Sequence, residues 1–203
     1  VRWTVVIPAK ALPEAKSRLL PASSDGAAHR RLVEAIRADT VAAARAADGV
    51  ARVLVVADRP DGDGVLVQVQ PGLNAALTEA AAHAAQFWPD DGVAALVGDL
   101  PALRPDELAD ALASAAERPS AFVPDASGTG TTLLTAAPGT SLRPRFGPGS
   151  AARHRETASA VPGGPGLRHD VDTAEDLRSA AALGLGAATA ALLTGTSIRL
   201  RSP

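Results

Sequence analysis

The stretch Val93-Ala-Ala-Leu-Val-Gly-Asp-Leu-Pro-Ala-Leu103 restricts the fold more than any other part of the chain. Val93 to Val97 are apolar without interruption, too short for an amphipathic helix, and read as a strand buried on both faces. Gly98 stops that strand and leaves Asp99 at its carboxyl end. In an open α/β sheet this end borders the crevice where ligands bind. A carboxylate placed there suits a metal ion. A turn cap before Pro101 and the helix after Arg104 fits the same spacing, and the sequence alone leaves both readings open.

Other segments supply neighbours for this strand. Trp3 to Ala9, Ala51 to Ala57, Val65 to Val69, Ser120 to Pro124 and Thr131 to Thr135 read as strands, the last two as an adjacent pair. Helical spacing is found over Asp25 to Ala47, Ala75 to Trp88, Arg104 to Glu117, Ser150 to Ala158 and Ala174 to Ala182. Thr173 begins the last of these, with Asp176 placed to close a capping box. Such alternation predicts one α/β domain over residues 1–203, a mainly parallel open sheet with helices on both faces. Residues 185–203, rich in Ala, Gly and Thr, form a weakly determined C-terminal tail.

Composition removes several function classes. Formal net charge is -2, so nothing basic suggests nucleic acid, and no apolar run is long enough to span a bilayer. The chain enters its first strand without a signal-like segment, and the expectation is a cytoplasmic protein. Absence of cysteine excludes thiolate metal sites and cysteine nucleophiles. Aromatic residues are 2% of the chain, so the core must be built from Val, Leu and Ala. Lys10 and Lys16 are the only lysines in a chain that otherwise uses arginine, and both lie with Arg18 in the irregular loop from Lys10 to Pro21. This pattern points to compact point charges at the tip of the first strand.

Four segments have the residue types that hold phosphate: Lys10 to Arg18, the turn at Asn74, Ser127 to Thr132, and Phe146 to Ser150. Gly147 to Ala152 fits G-x-G-x-x-A but does not follow the first strand, so a dinucleotide fold fails its context test, and no P-loop pattern occurs. Asp58 to Gly64 lacks the Glu of a calcium loop and reads as solvated turn. Asp170 and Asp172 share one side of an extended segment and, with Asp99, offer oxygen ligands that favour magnesium. As the bland alternative, they merely precede a helix. Of the four histidines, His29 and His83 are expected at helix surfaces, while His154 and His169 lie near the candidate site as anion donors.

Taken in order, several motifs resemble one family. They are Val6-Ile-Pro-Ala-Lys10 with Ala15-Lys-Ser-Arg-Leu19, Gly72-Leu-Asn-Ala-Ala-Leu77, Gly98-Asp-Leu-Pro101, Pro124-Asp with Gly128-Thr-Gly-Thr-Thr-Leu133, Phe146-Gly-Pro-Gly-Ser150, and Asp170-Val-Asp-Thr-Ala-Glu-Asp-Leu177. The resemblance is to the 2-phospho-L-lactate and phosphoenolpyruvate guanylyltransferases of coenzyme F420 biosynthesis, and covers roughly residues 3–185. It implies a MobA-like, nucleotide-diphospho-sugar-transferase-like fold. The first loop lacks the G-x-G-T of many sugar nucleotidyltransferases, a departure that argues against a sugar-phosphate enzyme.

The same resemblance implies site roles. Asp99 and Asp172 would hold Mg2+, with Asp170 a candidate third ligand; Asp99, Asp172 and Lys16 would be the catalytic groups. Thr132, Gly147 and Ser150 match positions that hold the phosphate and carboxylate of the phosphorylated acid. Lys10, Lys16 and Arg18 would face the triphosphate of GTP, and Asn74 the guanine or ribose. The implied partners are GTP and a small phosphorylated three-carbon acid, with a downstream transferase of the pathway also open; oligomeric state is not legible. Rival readings are a MobA-like or sugar-1-phosphate nucleotidyltransferase and a nucleotide-binding module without chemistry.

Overall fold

The computed structural model describes residues 1–9, 26–57, 65–67 and 71–194. The loop carrying Lys10, Lys16 and Arg18 and the Asp58 to Gly64 connection lie outside the described residues, as does 195–203.

The β-branched run Trp3–Ala9 forms β1, followed by α1 (Gly26–Ala46), β2 (Val50–Ala57), β3 (Val65–Val67), α2 (Leu73–Phe87) and β4 (Gly92–Leu96). Then come α3 (Pro105–Ala115), β5 (Ser120–Pro124), β6 (Thr131–Ala136), α4 (Ser150–Arg155), β7 (Ser159–Ala160), α5 (Pro165–Arg168), α6 (Ala174–Leu183) and α7 (Ala187–Thr194). The sheet order is β3-β2-β1-β4-β6-β5-β7. β1 pairs in parallel with both β2 and β4, which puts it at the centre of the parallel half. β6 runs antiparallel to β4 and β5, because β5 and β6 are joined by a short loop that reverses the chain directly. The sheet is therefore mainly parallel with one reversed strand in its interior.

β4 is buried at every position, as its uninterrupted apolar run requires. Side-chain alternation along β1 sends Val5 and Ile7 into one core with α1 and α3, and Val6 into a second with α2 and α4. Helices thus cover both faces. Gly92 opens β4 beside Trp3, where any Cβ would stand 2.5 Å from the indole. The amino ends of the strands are closed by buried Asp91, which pairs with Arg52 and Arg2, the Arg52 guanidinium lying 4.1 Å over the Trp88 ring.

Helix ends follow local chemistry. Pro105 starts α3 with Asp106 and Glu107 in its first turn, and Thr173 with Asp176 forms the expected capping box on α6. Three differences from the sequence expectations stand out. α4 stops at Arg155 instead of reaching Ala158. The tail contains a helix, α7, whose start is tied to α1: the Asp39 carboxylate accepts the Ala188 and Thr189 N–H groups at 2.9 and 2.8 Å. Finally, His29 is buried, not superficial, because it falls on the same α1 stripe as Leu32 and Ile36.

Candidate active site

At the carboxyl end of β4, Gly98 brings the chain against β1: a Cβ there would lie 3.0 Å from the Pro8 carbonyl and 3.2 Å from Ile7. Asp99 therefore emerges beside the end of β1. The Asp99 carbonyl accepts the N–H of Val171 at 3.0 Å. Val171 is fully buried between half-buried Asp170 and exposed Asp172, so the alternation expected of this extended segment holds. Two stretches some seventy positions apart are thus hydrogen-bonded to each other through the residues that bear or flank the candidate carboxylates.

α5 fixes the approach of that segment. Glu107 on α3 accepts the Gly166 and Leu167 N–H groups at 3.0 and 3.1 Å, capping α5 from another element. Gly166 packs so closely on the Ala102 carbonyl that any Cβ would overlap it. Arg168 then reaches the β5–β6 loop, donating to the Pro124 and Asp125 carbonyls at 3.1 and 2.8 Å.

Thr132 lies beside the end of β4, its carbonyl accepting the Val97 N–H at 3.0 Å. β5 pairs Val123 with Leu133 but Pro124 with Thr131, so Thr132 is the extra residue of a bulge. Bulges re-aim side chains next to active sites. The Thr132 hydroxyl is buried and has no hydrogen-bond partner among the described residues. A buried hydroxyl in that condition is costly unless something else bonds to it.

The loop before α4 is held by three side chains. Asn74, in the first turn of α2, accepts the Phe146 N–H at 2.8 Å and donates to the Phe146 carbonyl at 3.2 Å. His154 Nε2 accepts the Arg145 N–H at 2.9 Å, and its Nδ1–H donates to Thr131 Oγ1 at 2.8 Å. Arg153 donates to the Arg145 carbonyl at 3.0 and 3.2 Å and to that of Pro148 at 2.6 Å. Gly147 and Gly149 take positive φ values of 120° and 72°, which glycine adopts without the usual Cβ penalty. Ser150 is buried where α4 begins.

His154 is not an anion donor. Both ring nitrogens are used within the scaffold, and burial, then the charges of Arg153 and Arg145, lower its pKa from 6.5 to about 4. His169 donates through Nε2 to the Asp176 carbonyl at 3.0 Å, so that nitrogen also serves the scaffold. Among the described residues no group of three His, Asp or Glu side chains is placed to hold a metal ion.

The family described as "Guanylyl transferase CofC like" matches residues 3–199. The chain belongs to this family. A relative from Geodermatophilus obscurus, called phosphoenolpyruvate guanylyltransferase, is 52% identical, covering 96% of this chain and 95% of that one. Another of the same description, from Streptomyces coelicolor, is 49% identical over 95% and 96%. Among solved structures, a putative nucleotide-diphospho-sugar transferase from Desulfovibrio desulfuricans superposes with TM-score 0.69 at 16% identity, covering 95% and 94%. A CMP:2-keto-3-deoxy-manno-octonic acid synthetase complexed with CTP gives 0.52 at 17%, covering 90% and 98%. At these identities both show the fold alone.

Asp99 with the Asp170 to Asp172 segment, and Thr132, thus lie at the carboxyl end of β4 and the start of β6, and the Phe146 to Ser150 loop is tied to the start of β6 through His154 and Thr131. Asn74 joins them through Phe146, with one N–H and one lone pair of its amide left over. Glu107, Arg153 and Arg168 hold this arrangement together and were not singled out from the sequence. For Arg153, the available signal was an arginine one turn into the helix after a Gly-Pro-Gly loop.

Proposed function

We propose that this CofC-like guanylyl transferase joins the GMP part of GTP to the phosphate of phosphoenolpyruvate, releasing pyrophosphate, as a step in making coenzyme F420. The observation that carries this reading is the near-full-length similarity, at about half identity, to relatives called phosphoenolpyruvate guanylyltransferases.

The site is compatible with that chemistry. The substrate phosphate attacks the α-phosphorus of GTP. A phosphate monoester has its second pKa near about 6, so at neutral pH the nucleophile is already ionised and needs no general base. A neutral, fully engaged His154 accords with this. The work left to the protein is to bring two anions together and to stabilise charge on the departing pyrophosphate. Thr132 has an unused hydroxyl for a phosphate or carboxylate oxygen, and Gly147 and Ser150 lie on the loop that α2 and α4 hold in place. Lys10, Lys16 and Arg18 are proposed to face the triphosphate.

Magnesium fits the donor set in a restricted form. It commonly takes one or two carboxylates and completes its shell with water and substrate phosphates, which Asp99 and Asp172 satisfy without a third protein ligand. When bound there it supplies positive charge to the α-phosphate and the leaving group.

The test is pyrophosphate release with GTP and magnesium across phosphoenolpyruvate, 2-phospho-L-lactate, 3-phosphoglycerate and a sugar 1-phosphate. Release with phosphoenolpyruvate is expected. Turnover only with the sugar phosphate, or GTP binding without any release, would replace this reading by one of its rivals.

A further inference from the structure

Thr40 is a buried polar residue on α1, with no solvent exposure and outside every motif of the site. Its Oγ1 donates to the Ile36 carbonyl at 3.1 Å, a common local bond within helices. The same oxygen accepts the N–H of Leu100 at 3.0 Å, from a residue sixty positions away. That N–H and the Asp99 carbonyl belong to one peptide unit, and the carbonyl accepts from Val171. The two polar groups of a trans peptide point in opposite directions. The peptide after Asp99 is therefore pinned from α1 on one edge and from the Asp170–Asp172 segment on the other.

The adjacent residue adds a second tie. Asp39 caps α7, and the Gly186 N–H just before that helix donates to the Pro101 carbonyl at 2.8 Å. A Cβ on Gly186 would overlap the Asp39 carboxylate, so only glycine lets this turn close. One turn of α1 thus reaches the loop after β4 at Leu100 directly and at Pro101 through α7.

We propose that Thr40 is a positioning residue for guanylyl transfer, its hydroxyl orienting the Asp99–Leu100 peptide so that Asp99 is held in fixed relation to the Asp170–Asp172 segment. This rests on the reading of Asp99 and Asp172 as the groups that hold a divalent cation with the nucleotide. A buried N–H needs an acceptor, so removing the hydroxyl leaves the peptide free to rotate in search of one.

The experiment compares Thr40→Val, which keeps shape and loses the hydroxyl, with Thr40→Ser, which keeps the hydroxyl and loses a methyl. Two readouts are taken: steady-state pyrophosphate release, and Mn2+ binding in the presence of GTP, followed by electron paramagnetic resonance. For Thr40→Val, kcat should fall about tenfold or more with both KM values within about twofold, and Mn2+ affinity should weaken. Thr40→Ser should restore both. If Thr40→Val does not fold, Thr40→Ala takes its place under the same criteria. Unchanged kcat and Mn2+ affinity in a folded variant lacking the hydroxyl would overturn the proposal, as would a Thr40→Ser protein equally impaired in both. A wild-type protein that binds Mn2+ with GTP but releases no pyrophosphate would sink the substrate reading alone, leaving Thr40 to be judged by the Mn2+ measurement. A wild type that binds no Mn2+ would sink both.

Discussion

Asn74 and Phe146, seventy-two positions apart, are joined by a two-point contact in which the asparagine amide substitutes for a paired strand: it accepts the Phe146 N–H and donates to the Phe146 carbonyl. The start of α2 and the loop before α4 are consequently tied to each other at two points.

That contact separates two roles for Asn74. Asn74→Ala should raise KM for the phosphorylated acid by about tenfold, the scale of one lost net hydrogen bond, and change KM for GTP less. Steady-state kinetics in each substrate reads the difference. A rise confined to GTP would mean that the leftover N–H and lone pair touch the nucleotide, as the family resemblance implies.

Asp99 and Asp172 bear on the metal directly. Asp99→Asn and Asp172→Asn should each cost about a hundredfold or more in turnover while leaving the fold intact, since amide oxygens carry no charge for the cation. Circular dichroism melts and a magnesium titration check both parts. Near-normal magnesium-dependent activity in either variant would remove that residue from the ligand set.

His154 makes stability depend on pH. Its folded-state pKa, about 4, lies below the unfolded value of 6.5, so the unfolded chain binds the extra proton first as pH falls. The contribution is fully present above about 6.5 and is lost progressively as pH drops towards about 4. Urea melts at pH 7 and pH 5 should show the loss, and His154→Gln should flatten that difference. An identical slope in the variant would assign the pH dependence to other groups.

Asp39 governs the C-terminal helix. Asp39→Ala leaves the Ala188 and Thr189 N–H groups of α7 without their acceptor, at a cost of about 1–3 kcal/mol for the buried Thr189 N–H and less for the half-buried Ala188 N–H. Hydrogen exchange should accelerate at residues 186–194 before it does in β1 or β4. Uniform acceleration through the sheet would show that α7 is part of the global unfolding unit.

Local pattern carried most of the architecture. The run from Val93 to Val97 reads as a doubly buried strand, and the structure places β4 (Gly92–Leu96) in the sheet interior with every residue covered, Val97 lying partly buried just beyond it. The Thr173 and Asp176 capping box was legible because its partners are three residues apart. Family membership was legible too, because the motifs that carry it keep their order along the chain.

Tertiary structure decided how the site is held. Strand and helix periodicities relate neighbours two to four positions apart, and the sequence displays them directly. Bonds from Thr40 to Leu100, from Asp39 to Ala188, or from Glu107 to Gly166 join side chains to backbone across 59 to 149 positions and leave no periodic trace. The same holds for His154, whose neutral state follows mainly from burial, helped by its neighbour Arg153 and by Arg145, which meets it only when α4 folds back onto its own loop. Sequence settled which elements form and which family they belong to; the packing of α1, α3 and α4 against three loops settled which polar groups are spent holding the loops in place, because those partners come together only in the folded chain.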